Sequence, residues 1–374
     1  MTIDISNDVF RQLSSATSGG PVCPQLQHLT WSSAWGWESM QLFLSPYLVS
    51  VVFFGEYGMK LNDLGLIPTI SLLQTTYLEK LHLDIAPPPT PIHSALSEVI
   101  QRLNPCFKRL MTASSLSEAA WEHLASLPKL ESIGVSGTPH TDISKSIPHG
   151  MPFPALQRLR IKVDDARQRW SLLLSLLQSS PLQKVSITIS RRIQGADVPG
   201  QVITAMLGAE IRQSIDELIF SGLDPGNLRF ISHLGPFGSL KTLKCNTRCR
   251  WFGQGDSSLT DSDIERLASG FPQLEMLCLG HKCKHSHHRT TIKSLISLST
   301  HCPSLEILQL PCNLTNISED VKMESGEPHP RLKVLSCCKL RFLDLRWIAM
   351  PRSSDIEGLR IKDSAFYHLF PLLP

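Results

Sequence analysis

The chain has 374 residues, a formal net charge of +3, 42% hydrophobic residues and 18% charged residues. This composition supports a large packed core and excludes long-range disorder. The small net charge does not indicate a nucleic-acid partner, and no segment has the roughly 20 apolar residues of a membrane span. The N-terminus has early acidic residues and no apolar run behind basic ones, so no secretion signal is predicted. Ten irregularly spaced cysteines indicate reduced thiols in a cytoplasmic or nuclear protein.

A short phrase recurs along the chain: an apolar residue, two others, an apolar residue, one other, and a third apolar residue. Thirteen candidate repeats have a mean spacing of about 27.5 residues. Clear copies begin at Leu78, Leu130, Leu156, Leu182, Leu274 and Leu305, and looser copies at Leu26, Leu48, Phe107, Ile215, Leu240, Leu332 and Ile356. Each phrase predicts a short strand, and internal repeats of this length are typical of solenoid folds.

Proline marks the start of many of these phrases. With 26 Pro in 374 residues, chance would place about one in the slot two residues before the first apolar position. Eight are found there: Pro24, Pro46, Pro105, Pro128, Pro154, Pro272, Pro303 and Pro330. Proline cannot continue a helix, and it biases the preceding residue toward extended geometry. Each repeat is therefore predicted as helix, proline stop, strand and loop.

The segments upstream of the phrases have helical character at 92–103, 117–124, 170–177, 260–267 and 291–298. Thr260 is a candidate N-cap, with Asp263 three residues on as in a loose capping box. One such repeat cannot bury its apolar face alone, so we expect the repeats to stack on one another.

This pattern resembles the leucine-rich-repeat family. The resemblance implies an α/β solenoid of about 13 irregular repeats, with a curved parallel sheet on the concave side and helices on the convex side. The full family pattern adds Asn or Cys after the strand, and only the Leu305 repeat complies, with Asn313. We expect the solenoid to span residues 23–361, between an N-terminal segment, 1–22, and a C-terminal tail, 362–374.

The residue sequence of several repeats is more specific than the general leucine-rich-repeat pattern. Residues 271–279, FPQLEMLCL, and 302–310, CPSLEILQL, each follow an amphipathic helix. They resemble the repeat region of F-box/leucine-rich-repeat proteins, particularly fungal ones. In that family an F-box docks on the adaptor of a cullin-type ubiquitin ligase and the repeats hold the substrate. Residues 1–22 lack the Leu-Pro-x-Glu opening of an F-box, so we interpret them as disordered or as an F-box remnant at 8–13. The resemblance therefore gives adaptor docking by this chain little support.

Candidate chemical sites are weak. The histidine-rich loop after Cys278 lacks the Cys-x-x-Cys pair typical of zinc sites, so a basic loop is expected. Cys245 and Cys302 fit packing positions. Phosphate-binding loops and nucleophile motifs are missing from the sequence. No enzyme activity, catalytic residue, cofactor or metal site is predicted. Three further groups are expected to have structural roles. Asp164 and Asp165 are expected in a turn, and Trp31, Trp35 and Trp37 are expected to cap the first repeat. The basic loop contains His281, His285, His287, His288 and Cys283.

Residues that alternate with the buried strand positions would point toward a ligand on the concave face. The middle repeats are basic there, whereas later repeats present Met276, Cys278, Ile307 and Gln309. We therefore expect a protein partner with acidic segments, and neither a membrane nor a nucleic acid. The candidate partner-binding residues are Lys80, His82, Arg158, Arg160, Lys162, Lys184, Thr242 and Lys244.

Three functions remain open from the sequence. The favoured hypothesis is a substrate-receptor-like F-box/leucine-rich-repeat protein linked to ubiquitin ligases. The alternative is a repeat scaffold or sensor for protein–protein interaction unrelated to ubiquitin. The third is an enzyme, or a GTPase-activating repeat protein with Arg160 or Arg250 as an arginine finger.

Overall fold

The structure is a computed structural model, and it divides into an N-terminal half, residues 1–182, and a C-terminal half, residues 183–374. The predicted loop 281–289, Trp35, Trp37, Asp164, Asp165, Arg250 and the tail 362–374 lie outside the residues that the structure describes. The described residues are 7–17, 20–32, 38–55, 66–73, 77–84, 90–136, 151–163, 173–174, 176–190, 198–207, 213–223, 230–231, 234, 237–247, 259–280, 290–313, 332–339 and 360–361.

The strands of each half follow one another in sequence order, and all the described pairings are parallel. The N-terminal half has β1 (His28–Ser32), β2 (Ser50–Phe54), β3 (Lys80–Asp84), β4 (Arg109–Thr112), β5 (Ser132–Ser136) and β6 (Arg158–Val163). The C-terminal half has β7 (Lys184–Ile189), β8 (Glu217–Leu223), β9 (Thr242–Thr247), β10 (Met276–Leu279), β11 (Ile307–Asn313), β12 (Val334–Lys339) and β13 (Arg360–Ile361).

The strands coincide with the predicted repeats. Each of the first twelve begins two residues after the first apolar residue of its phrase, from Leu26 before β1 to Leu332 before β12. β13 begins four residues after Ile356. The predicted fold class, an α/β leucine-rich-repeat solenoid built on a parallel sheet with helices, is therefore confirmed.

Helices occupy many of the connections, as parallel strands require crossover segments of a dozen or more residues. They are α1 (Asn7–Ala16), a 3₁₀ helix (Glu38–Phe43), α2 (Leu66–Ser71), α3 (Thr90–Ile100), α4 (Glu118–Ser126), α5 (Val198–Leu207), α6 (Asp261–Gly270) and α7 (Ile292–His301). The predicted helical segments at 92–103, 117–124, 260–267 and 291–298 match α3, α4, α6 and α7.

The core consists of apolar residues stacked in register from strand to strand. In the N-terminal half, one row joins Val51, Leu81, Leu110, Ile133 and Leu159, all at most 3% exposed. The C-terminal half repeats it with Val185, Leu218, Leu243, Leu277 and Leu308. Burying one such side chain is worth about 1.5–3 kcal/mol. Helix residues such as Trp121 and Leu295 supply the opposite side of the core.

The first strand packs against the N-terminal helix. Phe10 of α1 is buried, and its ring centroid lies 5.7 Å from that of Trp31 and 6.2 Å from that of Phe43. Of the three tryptophans interpreted as a cap, Trp31 is buried in this aromatic cluster. Residues 7–16, part of the segment interpreted as disordered or as an F-box remnant, form α1.

Helix ends agree with the proline prediction. The C-cap residue of α4 is Leu127, with extended φ and ψ of −73° and 119°, and Pro128 follows it. Phe271 and Cys302 take the same place after α6 and α7, each directly before a proline. A residue before proline avoids the helical region, so these helices end there.

The predicted capping box at the start of α6 is present. The Thr260 side chain accepts a hydrogen bond from the Asp263 backbone, and the Asp263 carboxylate accepts one from the Thr260 backbone. Partial burial would raise the pKa of Asp263, but the hydrogen bonds from Thr260 and the contact with Arg266 outweigh it and hold that pKa below its ordinary value.

A second carboxylate joins two neighbouring repeats of the C-terminal half. Asp261, in the first turn of α6, accepts hydrogen bonds of 2.7 Å from both the backbone N–H and the hydroxyl of Thr291, the N-cap of α7. It also accepts one from the hydroxyl of the buried Ser294. Helix N-termini leave backbone N–H groups without helical partners. The Asp261 carboxylate supplies the hydrogen-bond acceptor for the Thr291 N–H at the start of the neighbouring helix.

Replacing Asp261 by alanine should lower the free energy of unfolding by about 1–3 kcal/mol, because three donors lose their acceptor. Urea unfolding followed by circular dichroism measures this loss. Glu265→Ala, at an exposed position on the same helix, is the matched control and should change stability far less. Equal losses in the two variants would contradict the bridging role.

Buried and exposed thiols should differ sharply in reactivity. Burial raises the pKa of Cys302 to about 12, and its thiol donates to the carbonyls of Ala268 and Phe271 at 3.6 and 3.5 Å. Burial also raises the pKa of Cys245. Iodoacetamide applied to the folded protein should label the exposed Cys23 and Cys106 and spare the two buried thiols until urea is added, as read by peptide mass spectrometry. Native labelling of Cys302 would contradict this packing.

Candidate functional site

In each half, the strands have one face that is turned away from the core. We call it the open face, and it consists of the strand residues that alternate with the buried ones, as in the exposed–buried pattern of β6. In the N-terminal half the open face carries these residues from β1 to β6: His28, Thr30, Ser32, Ser50, Val52, Phe54, Lys80, His82, Asp84, Arg109, Met111, Ser132, Gly134, Ser136, Arg158, Arg160 and Lys162.

The strongest positive charge lies on β6. Arg158 and Arg160 are both exposed, and Lys162 follows them on the same face. Side chains two residues apart on a strand are about 6.6 Å apart, so the two guanidinium groups can engage one ligand. Within the described part of the chain, no carboxylate lies within ion-pair distance of Arg158 or Arg160. Lys162 has interaction partners inside the protein.

The next basic residues lie on the neighbouring strands. Lys80 is directly opposite Arg109 in the register of β3 and β4. Arg109 is partly compensated, because its guanidinium lies 3.7 Å from the Glu131 carboxylate. His82 is in edge-to-face contact with Phe54, at a centroid distance of 5.9 Å. The predicted residues of the N-terminal half thus share one face.

Apolar side chains on β2 and β4 flank Lys80 and His82, which lie on β3. Phe54 is 43% exposed, and Val52 and Met111 are half-buried. Met111 extends over Gly134, where an added Cβ would lie 2.9 Å from the methionine Cε and 3.6 Å from the Arg160 Cβ. Gly134 therefore provides the space that lets Met111 lie flat beside the arginines.

The open face of the C-terminal half has a different charge balance. Lys184 lies 2.9 Å and Lys244 lies 3.7 Å from the carboxylate of Glu217, which is directly opposite Lys184 and Thr242 in the register. The predicted positive charge of the middle repeats is therefore partly compensated here, with one carboxylate for two lysines. The sequence analysis missed Glu217 because it assigned no outward residues to the loose Ile215 repeat, although Glu217 holds the same position as Lys184.

The residues just before most strands form a second polar row, which was not predicted from the sequence. The carbonyl of Glu79 accepts both Lys108 N–H and Arg109 N–H at 2.9 Å, and the carboxylate of Glu79 lies 2.8 Å from the Lys108 ammonium. That hydrogen bond raises the pKa of Lys108. Lys241 with Glu275, at 3.8 Å, and Glu306 with Lys333, at 2.9 Å, repeat the pairing. Charges that alternate at this position were visible in the sequence. Such exposed pairs add little stability.

Two kinds of site are not found among the described residues: a metal-binding cluster and a membrane-spanning helix. None of the described His, Cys, Asp and Glu side chains form a group of three or more that could hold a metal ion. Among these same residues, no helix has the length and apolarity needed to cross a lipid bilayer. The arrangement therefore provides surfaces for contact, with positive charge concentrated at β6.

Comparison with known proteins gives a structural likeness only. No protein-family model matches the chain, and no curated protein matches it in sequence. Among solved structures, it is similar to a chain in the crystal structure of the Rad7 and Elc1 complex in yeast. The identity is 14% and the TM-score 0.47, with 97% of this chain and 88% of that chain covered. A likeness at this level carries no functional argument.

Removing the Glu217 charge should uncover the lysines of the C-terminal half. Glu217→Gln should elute from a poly-glutamate resin at higher salt than wild type, because Lys184 and Lys244 lose their internal partner. Glu265→Gln has the same net charge and leaves the open face unchanged, so it is the matched control. Co-elution of the two variants would contradict the compensating role.

Proposed function

We propose that this chain is a non-catalytic, protein-binding repeat domain whose N-terminal open face captures an acidic segment of a partner protein. The single observation that carries the proposal is the exposed pair Arg158 and Arg160, which has no carboxylate partner among the described residues. Arginine is well suited to bind carboxylates because its planar guanidinium donates two parallel hydrogen bonds.

The distribution of charge supports the same face. Lys80, His82 and Lys162 lie on it with the two arginines, and Asp84, at the end of β3, is the acidic residue among the described positions of this face. Positive potential of this kind accelerates encounter with an acidic partner and loses effect as salt rises. Lys184, Thr242 and Lys244 belong to the partly compensated face of the C-terminal half, so we assign them a smaller contribution.

For the cellular role, we propose a substrate-receptor-like member of the F-box/leucine-rich-repeat group linked to ubiquitin ligases. The sequence pattern of the repeats supports this proposal. A helix ends at a buried Phe271 or Cys302, a proline follows, and a strand begins. The alternative is a scaffold unrelated to ubiquitin. The packing of Phe10 on Trp31 and Phe43 favours this alternative, because α1 then serves as part of the repeat core and not as an F-box remnant.

Charge reversal at the two arginines should weaken binding of a labelled oligo-glutamate peptide by about tenfold or more, because attraction becomes repulsion. Fluorescence anisotropy at low and high salt measures it. The double variant Arg158→Glu with Arg160→Glu leaves Lys162 unchanged. Lys129→Glu with Lys293→Glu has the same net charge, lies outside the open face and should bind as wild type does. Equal affinity in both double variants would overturn the proposal.

Affinity purification of the tagged chain, followed by mass spectrometry, distinguishes the two cellular roles. Recovery of cullin and adaptor subunits together with the partner is the result expected for a ligase subunit. Recovery of acidic partner proteins without ligase subunits would support the scaffold instead. In either case the arginine double variant should lose the acidic partners that the lysine double variant retains.

A further inference from the structure

The apolar side chains on β2 and β4 indicate which kind of acidic segment fits the open face. We propose that the acidic segment also carries one large apolar residue, aromatic or aliphatic, that binds over His82 and contacts Phe54 and Met111 on either side, with its acidic residues about three to six positions away. This inference rests on the proposed function, and it specifies the ligand class: an extended acidic peptide with a single apolar anchor.

The anchor position follows from exposure and register. Val52, His82 and Met111 are directly opposite one another on β2, β3 and β4, and Phe54 lies two residues beyond Val52 on the same face. Phe54 leaves 43% of its surface exposed, although one side of its ring meets His82. An apolar ligand side chain placed here would remove aromatic and thioether surface from water.

Gly134 is on the peptide's route from this area to the arginines. It lies between Met111 and Arg160 in the strand register and contributes no side chain. Met111 covers it, and any side chain at this position would displace the methionine. A peptide that runs from β4 to β6 would therefore cross the Met111 side chain, which fills the space over Gly134.

The spacing follows from sheet geometry. Neighbouring strands are about 4.8 Å apart, so Arg160 on β6 is about 10 Å from Met111 on β4 and about 19 Å from Phe54 on β2. An extended peptide advances about 3.3 Å per residue. It covers the shorter distance in about three residues and the longer one in about six. Acidic residues next to the anchor, or far beyond this range, would miss the guanidinium groups.

The charge on the face argues for a peptide with carboxylates. A single-stranded nucleic acid would also meet the arginines and could stack a base on Phe54, but every nucleotide carries a phosphate. Its binding would therefore show no dependence on the spacing between one apolar group and the charges. The spacing dependence is what separates the two ligands in a test.

The experiment uses labelled peptides of equal length and equal glutamate content with the full chain. One has a tryptophan with glutamates three to six residues away, a second has the glutamates adjacent to the tryptophan, and a third has alanine for tryptophan. Fluorescence anisotropy should show about tenfold tighter binding of the first than of the other two. A labelled oligouridine is the nucleic-acid arm and should bind more weakly than the first peptide.

Variants of the protein locate the anchor. Phe54→Ser should abolish the preference for the first peptide over the alanine peptide and keep the dependence on glutamate. Leu72→Ser removes an apolar residue of similar exposure directly after α2 and should leave all affinities unchanged. Circular dichroism verifies that both variants are folded.

The outcomes separate this inference from the proposed function. Equal binding of all three acidic peptides, or an unchanged preference in Phe54→Ser, would overturn the anchor while acidic binding at Arg158 and Arg160 stands. Binding of none of the peptides would overturn both. Tighter binding of the oligouridine than of the first peptide would replace the peptide ligand with a nucleic acid.

Discussion

The structure depends on one constraint: parallel strands stack with their buried residues in register. Strand side chains alternate between faces, so a shift of one residue would turn Leu81 or Leu110 toward water and a charged neighbour into the core. Each apolar row excludes that shift at every strand, at a cost of about 1.5–3 kcal/mol per exposed side chain. The register is therefore strongly specified in each half, and it also fixes the positions of the residues on the open face.

The same register sets the charge pattern. Residues before the strands pair with their counterparts in the next repeat, as Glu79 does with Lys108. On the open face of the C-terminal half, Glu217 is placed between two lysines. Arg158 and Arg160 lie opposite Ser132 and Gly134 of β5 instead, so these two β5 positions provide no negative charge to balance the arginines. A side chain's availability to a partner is therefore decided by its neighbours across the strands.

Two kinds of polar contact have different roles. The hydrogen bonds of Asp261 and the capping box of Thr260 satisfy backbone groups at helix ends, which would otherwise be costly to leave without partners. Asp261 also joins successive helices. The ion pairs on the open face are partly exposed to water, and pairs of this kind contribute little to stability. Substitutions on this face can therefore change binding while the fold persists, as expected where the core is separate from the surface that meets a ligand.

The sequence by itself determined the repeat, the proline-terminated helices, the strand positions and the direction of each strand side chain, because these depend on local geometry and on residue spacing. It also placed Lys80, His82, Arg158, Arg160 and Lys162 on one face. It did not show that Glu217 partly compensates Lys184 and Lys244, nor that Met111 lies over Gly134. Those contacts join residues about 23 to 33 positions apart, and only the alignment of neighbouring strands brings them together.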